Sequence, residues 1–309
     1  MKRLILIILC AAMFCVIYSC SSDGGNADNA ETSLENILKD WRTDGMTSWW
    51  EILAVYNADE NPLDYKGFDE ILSLLESATT TLERASYVIV TNTVVAIGAD
   101  PDYFEEYENY KRMLKAVVEN PGGGNLNEYI FAYLALKTSG DEFNETPVRD
   151  YLEAAQKSDG GFALSGDTGD VDITAFMIPA IILLYYDNLD LKLNVFAIWE
   201  PDSLSKASKF LQDNINGDGT FSSWGNANAN STAVALSALM ANNSVYMSGD
   251  GEFLRIVREG LSLFEKSGGY AVMQDMERDI TATAQGALAL GDYKNSTNVW
   301  IKLYLEILE

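Results

Sequence analysis

Asp159-Gly160-Gly161-Phe162 is followed, after a short polar stretch, by Asp172-Ile173-Thr174-Ala175. The same punctuation returns as Asp218-Gly219-Thr220-Phe221 before Asn230-Ser231-Thr232-Ala233, and as Gly268-Gly269-Tyr270 before Asp279-Ile280-Thr281-Ala282. With Thr174, Thr232 and Thr281 as equivalents, the steps from aromatic to threonine are 12, 11 and 11 residues. Glycine supplies positive φ where an outer helix ends. The aromatic tucks under the turn, and Asp or Asn (Asp172, Asn230, Asp279) caps the following helix by accepting its free amides. Units of this length that repeat must share a core with their neighbours.

Outward from these turns the apolar residues recur at helical spacing, as in Leu254, Val257, Leu261 and Phe264, and proline is scarce, at six. The spacing predicts helices at 31–40, 47–57, 67–77, 80–97, 104–119, 126–138, 146–157, 171–186, 202–215, 230–242, 251–267, 278–290 and 296–308, with no alternating strand. In each pair the second helix is the more apolar. Ile173 to Leu184 is apolar on nearly every face, so it is expected to be buried all round, with a bend at Pro179. Helices 47–57, 80–97, 126–138, 171–186, 230–242 and 278–290 are expected as an inner ring inside an outer one. The fold class expected is all-α, an α/α toroid of six helical hairpins occupying residues 31–309.

The first nineteen residues read as an export signal. Lys2 and Arg3 precede the apolar run Leu4 to Tyr18, which is too short for a stable membrane span. Ile17-Tyr18-Ser19-Cys20 resembles a lipobox, with a small residue before the cysteine that carries the lipid. Residues 20–30, rich in Ser, Gly, Asn and Asp, read as a flexible tether. The expectation is a bacterial lipoprotein, exported and held to a membrane through Cys20.

Composition removes several functions. Cys10, Cys15 and Cys20 are the three cysteines, so the processed chain keeps one, and there is no histidine. An internal disulfide, a Cys–His nucleophile, a cysteine-ligated zinc site and a histidine switch are therefore not expected, nor is any cofactor or metal. The formal net charge is −25, and loss of Lys2 and Arg3 makes it about −27. Nucleic acid and anionic lipid are poor partners for such a surface. A monomer is expected.

The quoted repeats resemble the prenyltransferase/squalene-cyclase repeat, and residues 45–290 resemble the terpenoid cyclase/protein prenyltransferase toroid superfamily, most closely its secreted bacterial branch. Within that resemblance, each activity has a residue requirement. Protein prenyltransferases hold zinc with Asp, Cys and His, and complement-like thioester domains need a reactive cysteine; the mature chain lacks these. Class II terpene cyclases protonate an alkene with the middle acid of Asp-x-Asp-Asp. Asp170-Val171-Asp172-Ile173 matches three of those positions and fails at the fourth, which leaves Asp172 either a candidate acid or a helix cap. Cobalamin carriers of the superfamily add a β-rich domain that the sequence does not show. A six-hairpin glycosidase or polysaccharide lyase is a further alternative, with paired carboxylates drawn from Glu51, Glu128, Asp170, Asp172 and Asp279.

In a toroid, the N-terminal ends of the inner helices surround one mouth. The residues expected there are Trp49, Trp50, Glu51, Tyr87, Asn127, Tyr129, Asp170, Asp172, Trp224, Asn228, Asn230, Gln274 and Asp279. A rim of aromatics and amides suits a small polar molecule or a peptide. The function expected is a non-catalytic binding or scaffold protein with its ligand at this mouth. A mouth-carboxylate enzyme is the alternative, and corrinoid binding a third.

Overall fold

The computed structural model describes residues 24–122, 124–186, 201–223, 225–246 and 251–308. The expected signal peptide, Cys20 and Trp224 lie outside the described residues. Thirteen α-helices run along the described chain, one at each expected position: α1 (Gly24–Asp44), α2 (Trp49–Asn57), α3 (Phe68–Glu76), α4 (Thr81–Ala96), α5 (Tyr107–Glu119), α6 (Leu126–Lys137), α7 (Thr146–Ala155), α8 (Val171–Tyr186), α9 (Asp202–Asp213), α10 (Ala229–Tyr246), α11 (Gly251–Ser262), α12 (Ile280–Asn295) and α13 (Val299–Leu308). Helix α1 takes in 24–30, expected as tether, because its apolar stripe of Ala30, Leu34, Ile37 and Trp41 already begins there.

The inner ring closes. Helix α2 lies against α4, α4 against α6, α6 against α8, α8 against α10, α10 against α12, and α12 returns to α2. Small residues permit the closest of these approaches. Gly291 of α12 faces the Asn57 amide, and a Cβ there would come within 2.7 Å of Asn57 Nδ2. Outside them, α3 covers α4, α5 lies on α4 and α6, α7 on α5, α9 on α8, α11 on α10 and α1 on α12.

The glycine turns seat each hairpin on the next outer helix. Gly160 (φ +89°) abuts α9, where a Cβ would stand 2.7 Å from the Lys206 carbonyl oxygen. Gly219 (φ +84°) abuts α11 in the same way, 2.2 Å from the Ile256 carbonyl oxygen. Gly268 (φ +74°) lies against Asp40 of α1, so the last turn rests on the first helix. Two- and three-residue strands decorate the later turns: β1 (Ser222–Ser223) pairs with β2 (Asn226–Ala227), and β4 (Gly269–Ala271) lies between β3 (Glu265–Lys266) and β5 (Arg278–Asp279).

The threonines act by a specific bond. The amides of Phe162, Phe221 and Tyr270 donate to the Oγ1 atoms of Thr174, Thr232 and Thr283, at 2.8, 3.0 and 3.0 Å. The third equivalent is therefore Thr283, not Thr281, and the step there is 13 residues. Thr281 is exposed.

Helix α13 belongs to neither ring. It touches α2, α4, α8 and α12 together, on the side where the inner helices end. There Glu306 accepts from Tyr56 Oη at 2.6 Å, Lys137 Nζ lies 5.2 Å from the Tyr304 ring, and the Val299 amide donates to Asp292 at 2.8 Å. The C-terminal mouth is plugged. From this plug Trp300, 2% exposed, rises toward Phe131, its ring centroid 6.2 Å away.

Candidate functional site

The opposite, N-terminal mouth is where sequence patterning placed a ligand, and its capping pattern determines which polar groups remain free. All six inner helices are capped there. Ser48 with Glu51 and Thr80 with Glu83 form capping boxes on α2 and α4. Asn125 accepts from Glu128 N at 3.0 Å, Asp170 from Ile173 N at 3.0 Å, Asn228 from Ser231 N at 2.8 Å, and Asp279 from Ala282 N at 2.9 Å. The cap of α8 is thus Asp170 and that of α10 is Asn228, which corrects the assignment of Asp172 and Asn230 to that role. Asp170 is also held by Ser223, whose hydroxyl donates to its second oxygen at 3.0 Å.

Asp172, two residues further in, caps nothing. Its Oδ1 is buried and has no hydrogen-bond partner. Burial pushes its carboxyl up to about 6, with the charge of Asp170 adding to the rise and the hydroxyls of Ser231 and Ser223 opposing it. Between about pH 4 and 6 the native state keeps a proton that the unfolded chain has released, so this group lowers stability as pH rises through that window. Asp172→Asn removes the effect. In urea titrations the variant should match wild type near pH 4 and exceed it by about 2 kcal/mol at pH 8; equal stabilities at both pH values would contradict the placement.

One turn beyond Asp172 on α8, Phe176 joins an aromatic column. Trp49 and Trp50, both half-buried, stack with centroids 4.0 Å apart. Trp50 stacks in turn on Phe176 at 5.9 Å and meets Phe131 edge-on at 5.7 Å. Phe131 then meets Trp300 rising from the plug. The centre is filled: the gap between Trp50, Phe176, Gln285 and Trp300 is about 10 Å³, room for about one water.

The remaining expected rim residues divide. Asn127, half-buried at the start of α6, has an unpartnered Oδ1, and Asn230 donates to Gln285 Oε1 at 2.8 Å, tying α10 to α12. Glu51 is 3% exposed and accepts from the amides of Thr47 and Ser48, so it is occupied as a cap; burial raises its carboxyl, and those amides oppose the rise. Tyr87 and Tyr129 are not at the mouth. Tyr87 is buried edge-on to Tyr110 of α5 at 5.3 Å, and Tyr129 donates to the Val118 carbonyl at 2.7 Å while lying 4.5 Å from Tyr151 of α7. Both face the outer ring. Glu128 is half-buried and Gln274 exposed. Among the described residues no group of three or more acidic, cysteine or histidine side chains is placed to hold a metal. The serines missed by sequence reasoning, Ser223 and Ser231, came from the turn and the helix beside the acid, and only the hairpin geometry brings them to it.

No protein-family model matches the sequence, and no curated protein is similar to it. Among solved structures, the crystal structure of a possible member of the GH105 family from Salmonella enterica subsp. enterica serovar Paratyphi A str. ATCC 9150 is similar, with a TM-score of 0.61 over 89% of this chain and 96% of that one. The chain is an α/α toroid. At 10% identity the likeness is one of fold, and it supports the toroid without singling out the terpenoid cyclase/protein prenyltransferase superfamily.

Proposed function

We propose that this toroid is a binding protein that takes a neutral carbohydrate at its N-terminal mouth and is held to a membrane through lipid on Cys20. One observation carries the binding reading. Asp172 presents a buried, unpartnered oxygen on α8, one turn before the Phe176 ring that stacks on half-buried Trp50, while Glu51, Asp170 and Asp279 are engaged as caps. A sugar ring offers an apolar face to an indole and hydroxyls to carboxylates and amides, and Asn127 supplies a further unpartnered acceptor. The acidity of the chain, at net −25, favours a neutral over an acidic sugar. The similarity to a possible GH105 member is compatible with carbohydrate at this end.

The filled centre argues against an isoprenoid cyclase, which must enclose its substrate. A glycosidase-type enzyme is the second reading, favoured by the carboxyl of Asp172 at about 6, in the range of a general acid. Isothermal titration of neutral oligosaccharides, with reducing-end release followed in parallel, separates the two. Binding without release, weakened about tenfold or more by Trp49→Ala, supports the proposal. Release abolished by Asp172→Asn supports the enzyme, and no binding at all refutes both. For the anchor, Cys20→Ser should move the protein from the membrane to the soluble fraction; unchanged fractionation would remove that part.

A further inference from the structure

We propose that the cleft between α1, α11 and the β3–β4 hairpin is a second ligand site, for a small molecule that carries one carboxylate beside hydrogen-bond donors. The cleft encloses about 400 Å³ and adjoins a second hollow of about 300 Å³ that shares Ser33, Asn36 and Glu265. These volumes are of small-molecule size.

Arg258 of α11 is the reason for choosing an anion. It lines the cleft and is 6% exposed, yet its Nε has no hydrogen-bond partner. Its terminal nitrogen forms a long ion pair with Glu259 at 3.6 Å, beyond hydrogen-bond range, and the Tyr293 ring centroid is 5.9 Å away. A buried guanidinium with an unmet Nε donor is unfavourable by itself. The two oxygens of a carboxylate match its planar fork.

The rest of the wall selects among anions. Glu259 and Glu265 also line the cleft, and Ser33 fixes Glu265 through a 2.7 Å hydrogen bond. A doubly charged phosphate would be repelled by these acids, whereas a monocarboxylate with amino or hydroxyl groups can donate to Glu265. Amino acids and uronic acids share this chemistry. The site lies outside the ring, so it stands or falls independently of the mouth.

Isothermal titration of the full chain with L-glutamine and, separately, with D-galacturonate tests it and distinguishes the two sources. One of them should bind, and Arg258→Met should weaken that binding at least about tenfold, while the melting temperature of the unliganded variant holds or rises because a buried guanidinium with an unmet Nε donor is gone. Should Arg258→Met fail to fold, Glu265→Gln must weaken the same binding at least about threefold. Absence of binding by both compounds, or binding unchanged in the variant that folds, overturns the proposal.

Discussion

Replacing Trp300 by alanine will lower the unfolding free energy by about 4 kcal/mol, seen as a lower urea midpoint at unchanged slope. Trp300 is 2% exposed and stands where the plug meets the inner ring, against Phe131 and across a gap of about 10 Å³ from Trp50. Its removal leaves a cavity that helices locked in a closed ring are poorly placed to collapse. The same variant should disturb the Trp49–Trp50 stack, because Phe131 touches Trp49, Trp50 and Trp300 alike. A loss below about 1 kcal/mol would show that α13 lies loosely on the ring rather than in it.

Asp292→Ala is the second large effect, a loss of about 3–5 kcal/mol. Asp292 is fully buried near the end of α12 and accepts from four donors on three elements and the loop before α13. Asn57 Nδ2 and the Val299 amide reach one oxygen, each at 2.8 Å, and the Ser237 hydroxyl and Asn298 Nδ2 reach the other. One carboxylate therefore ties α2, α10 and α12 to the plug. Burial pushes its carboxyl up to about 7 against the pull of those donors. Alanine leaves the Val299 amide and the Ser237 hydroxyl buried without this acceptor, and leaves Asn57 only its bond to the Leu288 carbonyl and Asn298 only its bonds to Ser237. Asparagine should cost less than alanine, since its carbonyl still serves one pair of donors, although its amide must face the other. Thermal or urea unfolding of the two variants checks the order, and an Asp292→Ala protein as stable as wild type would contradict it.

Much of the fold was legible because its signals are local. A glycine turn, an aromatic and an apolar helix each announce themselves within a few residues, and each of the thirteen expected helices is present, although α1 begins before its expected start and α11 ends at Ser262 rather than 267. The register of the third repeat was not legible, because Thr281 and Thr283 differ by two positions and only the Tyr270 amide distinguishes them. Asp170 and Asp172 pose the same ambiguity at the start of α8, where either spacing suits a cap and the backbone decides for Asp170. Tyr87 and Tyr129 were misplaced for a different reason. A helix apolar on every face has no stripe to say which side looks inward. The plug was also hidden, since the amphipathic pattern of α13 fits an outer helix as well as a stopper. Asp172 was singled out as either acid or cap, and the cap belongs to Asp170 instead.

A sugar bound as proposed would lie on Trp49 and Trp50 at the N-terminal mouth. Oxidative footprinting of the side chains, read by mass spectrometry with and without a bound neutral oligosaccharide, tests this most directly. Trp49 and Trp50 should be protected on binding, with Tyr103, which is 82% exposed, unchanged. Protection confined to other surfaces, with both indoles as reactive as before, would contradict it.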